Sequence, residues 1–294
     1  MNDAAEAGSI ETVLVARERP VGNQSVLRVL PAMQRRSVGP FVFLDHMGPH
    51  RLRPGEGFDV GPHPHIGLAT VTYLFEGAAV HRDSLGSVQT IAPGELNWMT
   101  AGRGIVHSER SPDDLRAAGG TFHGVQLWVG LPVADEEGEP TFEHVAAGAI
   151  ETVTAGRAIA RVLAGSAYGV TARVRTRSSL CFVEAHLGDG DDLPLPDHPD
   201  RAVYVVEGSV EIGGQPIEAH TLGTIRPGRG SVRASGRAHV LLLGGERFPE
   251  PRHMSWNFVS SSKARLEAAE REWRQGAFPR IPTDDGEPIP MPER

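Results

Sequence analysis

A single cysteine, Cys181, stands in this chain of 294 residues, which excludes an internal disulfide framework and any zinc or iron–sulfur site built on several cysteines. Positive charge is also in short supply. The chain has 29 basic residues against 37 acidic ones, a net charge of −8, and no Lys/Arg cluster stands out from that background. Direct binding to nucleic acid or to an anionic membrane face is therefore disfavoured on electrostatic grounds. No apolar run approaches the roughly 18 residues that a membrane span needs. The opening Met1-Asn-Asp-Ala-Ala-Glu6 has neither a basic nor an apolar leader region, so a cytoplasmic protein is expected.

Turn formers are abundant instead: 35 Gly and 23 Pro make up a fifth of the chain, against roughly 12% on average. From about Glu11 to Leu243 the text consists of short apolar runs such as Phe41–Leu44, Ala69–Phe75, Val125–Val129, Val203–Val206 and Val240–Leu243. They are rich in β-branched and aromatic residues and bounded by turn chemistry, and no long 3.6-residue periodicity interrupts them. This pattern predicts an all-β fold, sandwich or barrel.

The pattern runs twice. Phe75-Glu-Gly77 returns as Val206-Glu-Gly208 and Ala92-Pro-Gly94 as Arg226-Pro-Gly228, at intervals of 131 and 134 residues. We expect barrels over 1–135 and 136–250, joined near the acidic Asp135–Pro140 stretch, with 251–294 as a helix and tail. For the helix, Ser262 serves as N-cap, Leu266, Ala269 and Trp273 form one stripe, Glu267/Arg271 and Glu270/Arg274 pair at i,i+4, and Gly276 ends it. The proline-rich stretch from Pro279 to Arg294 reads as an extended strap or loose tail.

The richest signal is histidine, 13 in all. His63-Pro-His65 is followed by His107-Ser-Glu109, and residues two apart on a strand face the same way. Two such strands meeting inside a barrel would converge three imidazoles and a carboxylate. That set suits Fe(II), and equally Mn, Co, Ni, Cu or Zn, and leaves positions open for chemistry. The competing reading is accidental spacing of surface residues. Among the remaining histidines, His46, His81 and His123 read equally well as supports of the ligands or as ordinary strand-end residues. Cys181, next to Phe182-Val183, reads as a buried small hydrophobe.

Gly57 to Gly77 carries Gly-x5-His-x-His-x4-Thr-x6-Gly, which resembles the first cupin motif, with Thr70 where most cupins place a metal-binding Glu. The strings Thr70-Val-Thr-Tyr73, Trp98–Gly104, His107-Ser-Glu109 and Gln126-Leu-Trp-Val129 resemble the pirin family. The resemblance implies two tandem cupin barrels, the first holding one iron through His63, His65, His107 and Glu109. It also implies either quercetin 2,3-dioxygenase activity on a flavonol with O2, or a non-catalytic, iron-dependent regulator that binds a protein partner. A metal-dependent isomerase or lyase of the wider cupin set is a third possibility. With Thr70 in the usual Glu position, Glu109 is expected to ligate metal and also act as catalytic base. Aligning Gly208 with Gly77 puts Pro194 and Pro196 in the places of His63 and His65, so the second barrel is expected to be metal-free.

Overall fold

The computed structural model describes residues 7–292. Strands dominate, and the helical elements among the described residues are Asp113–Ala118, a short 3-10 turn at Ala147–Ala149 and Lys263–Arg274. This is the all-β architecture with a short C-terminal helix that the composition and punctuation imply. Among the described residues no helix is long and apolar enough to cross a membrane.

The chain groups into two compact units. One comprises Glu18–Val26, Asp45–Ala147 and the segment from Phe248 onward. In its smaller sheet, Asp59–His65, Ile105–Arg110, Ala79–Asp83 and Val88–Ile91 lie side by side. In its larger sheet the order is Thr141–Val145, Leu96–Thr100, Leu68–Glu76, Gly120–Gly130 and then Phe41–Leu52, whose residues from Asp45 on belong to this unit. One buried cluster draws Leu74 and Phe122 from the larger sheet and Ala79 and Ile91 from the smaller, so the two sheets close face to face into a barrel. Phe58 and Phe122 stack there at 4.5 Å. Burying such a side chain contributes about 1.5–3 kcal/mol.

The second unit takes the chain up to Arg17, Leu27–Leu44 and Gly148–Arg247. Its large sheet runs Ile10–Val15, Thr221–Ile225, Asp200–Glu207, Ala238–Gly245, Leu180–Leu187, Ala158–Ala167, Glu151–Ala155. A smaller sheet of Asp192–Pro194, Ser231–Ala234, Ser209–Ile212 and Gln215–Glu218 faces it. The core between them uses alternate residues of each strand, among them Val183, Ala185, Val203, Val205, Val240 and Leu242 against Val210, Ile212 and Val232.

The sequence echo has a structural cause. Gly77 (φ +82°) and Gly208 (φ +79°) each turn the chain after a long strand, and a Cβ would sit 2.5 Å from the Thr121 carbonyl oxygen and 2.1 Å from that of Arg237. Only glycine fits either place.

The C-terminal helix forms as its pattern dictates. Ser262 accepts from the Arg265 N–H at 3.3 Å, and Arg274 lies 3.6 Å from Glu270. Leu266 and Ala269 are buried with Phe258, Phe278, Ile66 and Val106, and Trp273 packs beside them. The residues beyond the helix form a strap: the Ile289 N–H donates to the Pro62 carbonyl at 2.8 Å, and Trp273 Nε1 donates to the Ile289 carbonyl at 3.1 Å.

Candidate metal centre

His63 and His65 lie on Asp59–His65, and His107 and Glu109 on the neighbouring Ile105–Arg110. His107 pairs with His63, but Glu109 pairs with Val60. The first strand therefore spends an extra residue at Gly61-Pro62, a bulge that suits a proline with no N–H to offer. All four side chains are buried. Val106 packs on the other face, against Phe258 and the helix. Gly67 (φ +67°), the last residue of the His-Pro-His-x-Gly string, lets the chain pass where a Cβ would lie 1.9 Å from the Val259 carbonyl oxygen.

The hydrogen bonds determine which ring nitrogens face inward. His63 Nδ1 donates to the Gly61 carbonyl at 2.8 Å, and His65 Nδ1 to that of Asn257 at 3.1 Å. For His107 the same office falls to a side-chain relay. Asp83 Oδ2 accepts from His81 Nε2 at 3.0 Å, which leaves His81 Nδ1, in the neutral ring, as an acceptor for His107 Nδ1–H at 3.4 Å. Burial on its own would raise the Asp83 carboxyl, but hydrogen bonds from His81 and Ser87 hold it below the ordinary carboxylate value. Phe142 stacks on His81 at 4.3 Å.

Each of the three rings thus turns an unprotonated Nε2 to the barrel interior. Burial lowers the pKa of His63 and, with the neighbouring imidazoles adding to it, takes those of His65 and His107 well below the usual histidine value. His65 Nε2 and His107 Nε2 face each other at 3.1 Å. Two lone pairs so placed repel unless a cation lies between them. The donor set therefore fits a divalent metal ion.

The ligand atoms of His63, His65 and His107 lie within 4.8 Å of one another, and those of His81, His107 and Glu109 form a second, overlapping trio. The structure thus brings the three sequence-predicted imidazoles together and sets Glu109 at their flank. Its Oε1 accepts from Thr72 Oγ1 and its Oε2 from Gln126 Nε2, each at 2.8 Å. Thr72, two residues after the position that is Glu in most cupins, holds the carboxylate in place.

Trp128 stands edge-on to His65 at 5.1 Å. Asn97, paired with Thr72 across the sheet, accepts from His144 Nδ1 at 2.8 Å, while its Nδ2 is buried without a hydrogen-bond partner among the described residues. His46 and His123 bond to each other at 2.7 Å. The Cys181 thiol is pushed up to about 12 by burial, and no nucleophile remains there at neutral pH. The sequence balances His81 between a support of the ligands and an ordinary strand-end residue, and it does not single out Asp83. Their His-x-Asp spacing was the available signal, one shared with any polar strand end.

Two barrels with a buried imidazole cluster inside the first define a bicupin with a candidate divalent-metal site. The chain belongs to the pirin family: the Pirin model matches residues 23–129, and the model of the Pirin C-terminal cupin domain matches residues 182–279. A pirin-like protein of Caulobacter vibrioides is 46% identical over 289 residues, spanning 97% of this chain and 100% of that one. The Pirin of Homo sapiens is 31% identical, over 89% of this chain and 90% of its own. Among solved structures, a quercetin 2,3-dioxygenase from Acinetobacter baumannii matches with a TM-score of 0.89 and 32% identity, covering 96% of this chain and 95% of that one.

Proposed function

We propose that this protein is an iron(II)-dependent dioxygenase that opens the heterocyclic ring of a flavonol such as quercetin with O2, releasing CO. His63, His65, His107 and Glu109 would hold the ion. The observation that carries this reading is the convergence of three imidazole Nε2 lone pairs beside a carboxylate in a buried barrel. The likeness to a solved quercetin 2,3-dioxygenase supports the reaction class.

A redox-active ion, when bound, supplies the one-electron chemistry that lets a closed-shell enolate react with triplet O2. The chain's own residues do the rest. Glu109 takes the proton of the flavonol 3-hydroxyl at a carboxylate oxygen, since each oxygen accepts one hydrogen bond, from Thr72 or Gln126, and has a lone pair to spare. Thr72 and Gln126 keep that carboxylate from swinging. Asn97 Nδ2 offers a donor to a substrate oxygen, and the Trp128 ring flanks a flat aromatic ligand.

We assign the interior ion to this barrel alone. In the second unit Arg201 stands at the position corresponding to Thr70, on the core face of its strand. Its buried guanidinium donates to the carbonyls of Pro196 (2.9 Å), Arg226 (2.9 Å) and Gly228. A fixed cation at that point opposes a second one.

The test is to load the protein anaerobically with Fe(II), Mn(II), Co(II) or Ni(II), admit O2 and quercetin, and follow O2 uptake and CO release. Both should exceed the His63→Ala control in at least one metal form. Metal uptake with neither product would overturn the dioxygenase reading in favour of a metal-dependent binding module.

A further inference from the structure

The second unit carries a ligand set on the face of its large sheet that points away from its core. Along Leu180–Leu187 the core takes Cys181, Val183, Ala185 and Leu187; along Ala238–Gly245 it takes Ala238, Val240 and Leu242. Strand alternation sends Glu184, His186 and His239 to the opposite face. His186 and His239 are direct cross-strand partners, and Glu184 is two residues along from His186.

We propose that Glu184, His186 and His239 form a second metal site, for a divalent cation of the zinc, nickel and copper class. Glu184 Oε1 lies 3.0 Å from His239 Nε2 and 3.7 Å from His186 Nε2. Ligands about 2.0–2.1 Å from a tetrahedral zinc ion sit about 3.3 Å apart, and the two observed distances bracket that value. The imidazole rings stack at 4.1 Å and 18°, so their edges run nearly parallel toward the same carboxylate oxygen. The three ligand atoms fall within 4.8 Å of one another.

An ion-paired cluster is the alternative, and its charges fit less well. Arg161 Nη1 already approaches Glu184 Oε2 at 3.3 Å. Protonating both rings as well would set three cations around one carboxylate. Neutral rings protonated at Nε2 would both aim their N–H at the one oxygen Glu184 Oε1, and only that of His239, at 3.0 Å, is close enough to donate, the His186 one standing off at 3.7 Å. One divalent cation between the three atoms satisfies all of them. Glu207, paired with His239 across the sheet, adds negative charge near His186. The two imidazoles open on a cleft of about 420 Å³, which gives an entry path and room for a water as fourth ligand. Two imidazoles and a carboxylate favour the later first-row ions over magnesium or calcium.

The test counts zinc on the full chain after chelator treatment and equilibrium dialysis against micromolar Zn(II), with circular dichroism confirming the fold of each variant. Wild type should bind one equivalent more than His239→Ala or Glu184→Gln. His239→Cys, which replaces one ligand with another, should keep that equivalent. Wild-type stoichiometry in both His239→Ala and Glu184→Gln would overturn the proposal. The interior site is removed with His63→Ala/His65→Ala/His107→Ala. That variant should retain the outer equivalent and, with Cu(II), give an electron paramagnetic resonance spectrum showing nitrogen coupling. Adding His239→Ala to it should abolish the coupling; coupling that persists there would also overturn the outer site.

Discussion

Asp83 does for His107, through His81, what two backbone carbonyls do for His63 and His65: it decides which nitrogen carries the proton. An amide in its place can present an N–H to His81 and reverse the relay. Asp83→Asn should therefore weaken metal binding about 10- to 100-fold with the fold intact, as chelator competition alongside circular dichroism would show. Glu109→Gln keeps the hydrogen-bonding shape around Thr72 and Gln126 but removes the base. Turnover should drop by about 10²- to 10⁴-fold while metal content, measured by elemental analysis, falls much less. Equal turnover would exclude Glu109 as the base. At this scale the four candidate ligands were legible because i,i+2 spacing on a strand maps directly onto a shared face. His81 and Asp83 were not, since only the third dimension sets His81 against His107.

At the scale of elements, the C-terminal segment backs the strands that carry the imidazole cluster. Asn257 receives the His65 hydrogen bond, Ile66 bridges to Phe258, and Asp284 accepts from Ser108 Oγ at 2.6 Å and Arg110 Nε at 2.9 Å. Ser108 lies between His107 and Glu109, two of the candidate ligands. Burial works against the Asp284 carboxylate, yet hydrogen bonds from Arg110, Ser108 and the Gly286 N–H bring its pKa down to about 2. A carboxyl held below its unfolded value stabilises the folded state above the unfolded pKa. That stabilisation is lost as pH falls from about 4 through about 2. Asp284→Asn should lower the melting temperature at pH 7, by a loss on the order of 1–3 kcal/mol, and the gap to wild type should close over that acid window. The helix itself could be read from its cap and stripe, but its place against the ligand strands could not. Periodicity shows which face is apolar and is silent on its partner.

Across the whole molecule the buried histidines set the acid response. His63, His65 and His107 have folded pKa values below the unfolded one, so the unfolded chain binds more protons below about 6.5 and stability must fall with pH there. Each group contributes up to about 1.4 kcal/mol per pH unit. Thermal melts of chelator-treated protein should drop steeply between pH 7 and pH 5, and the slope should be shallower in His63→Asn/His65→Asn/His107→Asn. An unchanged slope would mean that these rings are not buried neutral. By itself the sequence determined the all-β class, the doubled pattern, the capped helix and the candidate ligand types, because these rest on local rules: alternation, turn chemistry and side-chain donors. Only the tertiary structure decided that Ile10–Val15 pairs with Thr221–Ile225, that the segment beyond Phe248 groups with the barrel holding the imidazole cluster, and that Asp83 and His81 orient His107. It also decided that Glu184, His186 and His239 meet on one sheet face. Those contacts join residues whose spacing along the chain follows no short period; they depend on which strands become neighbours when the barrels close.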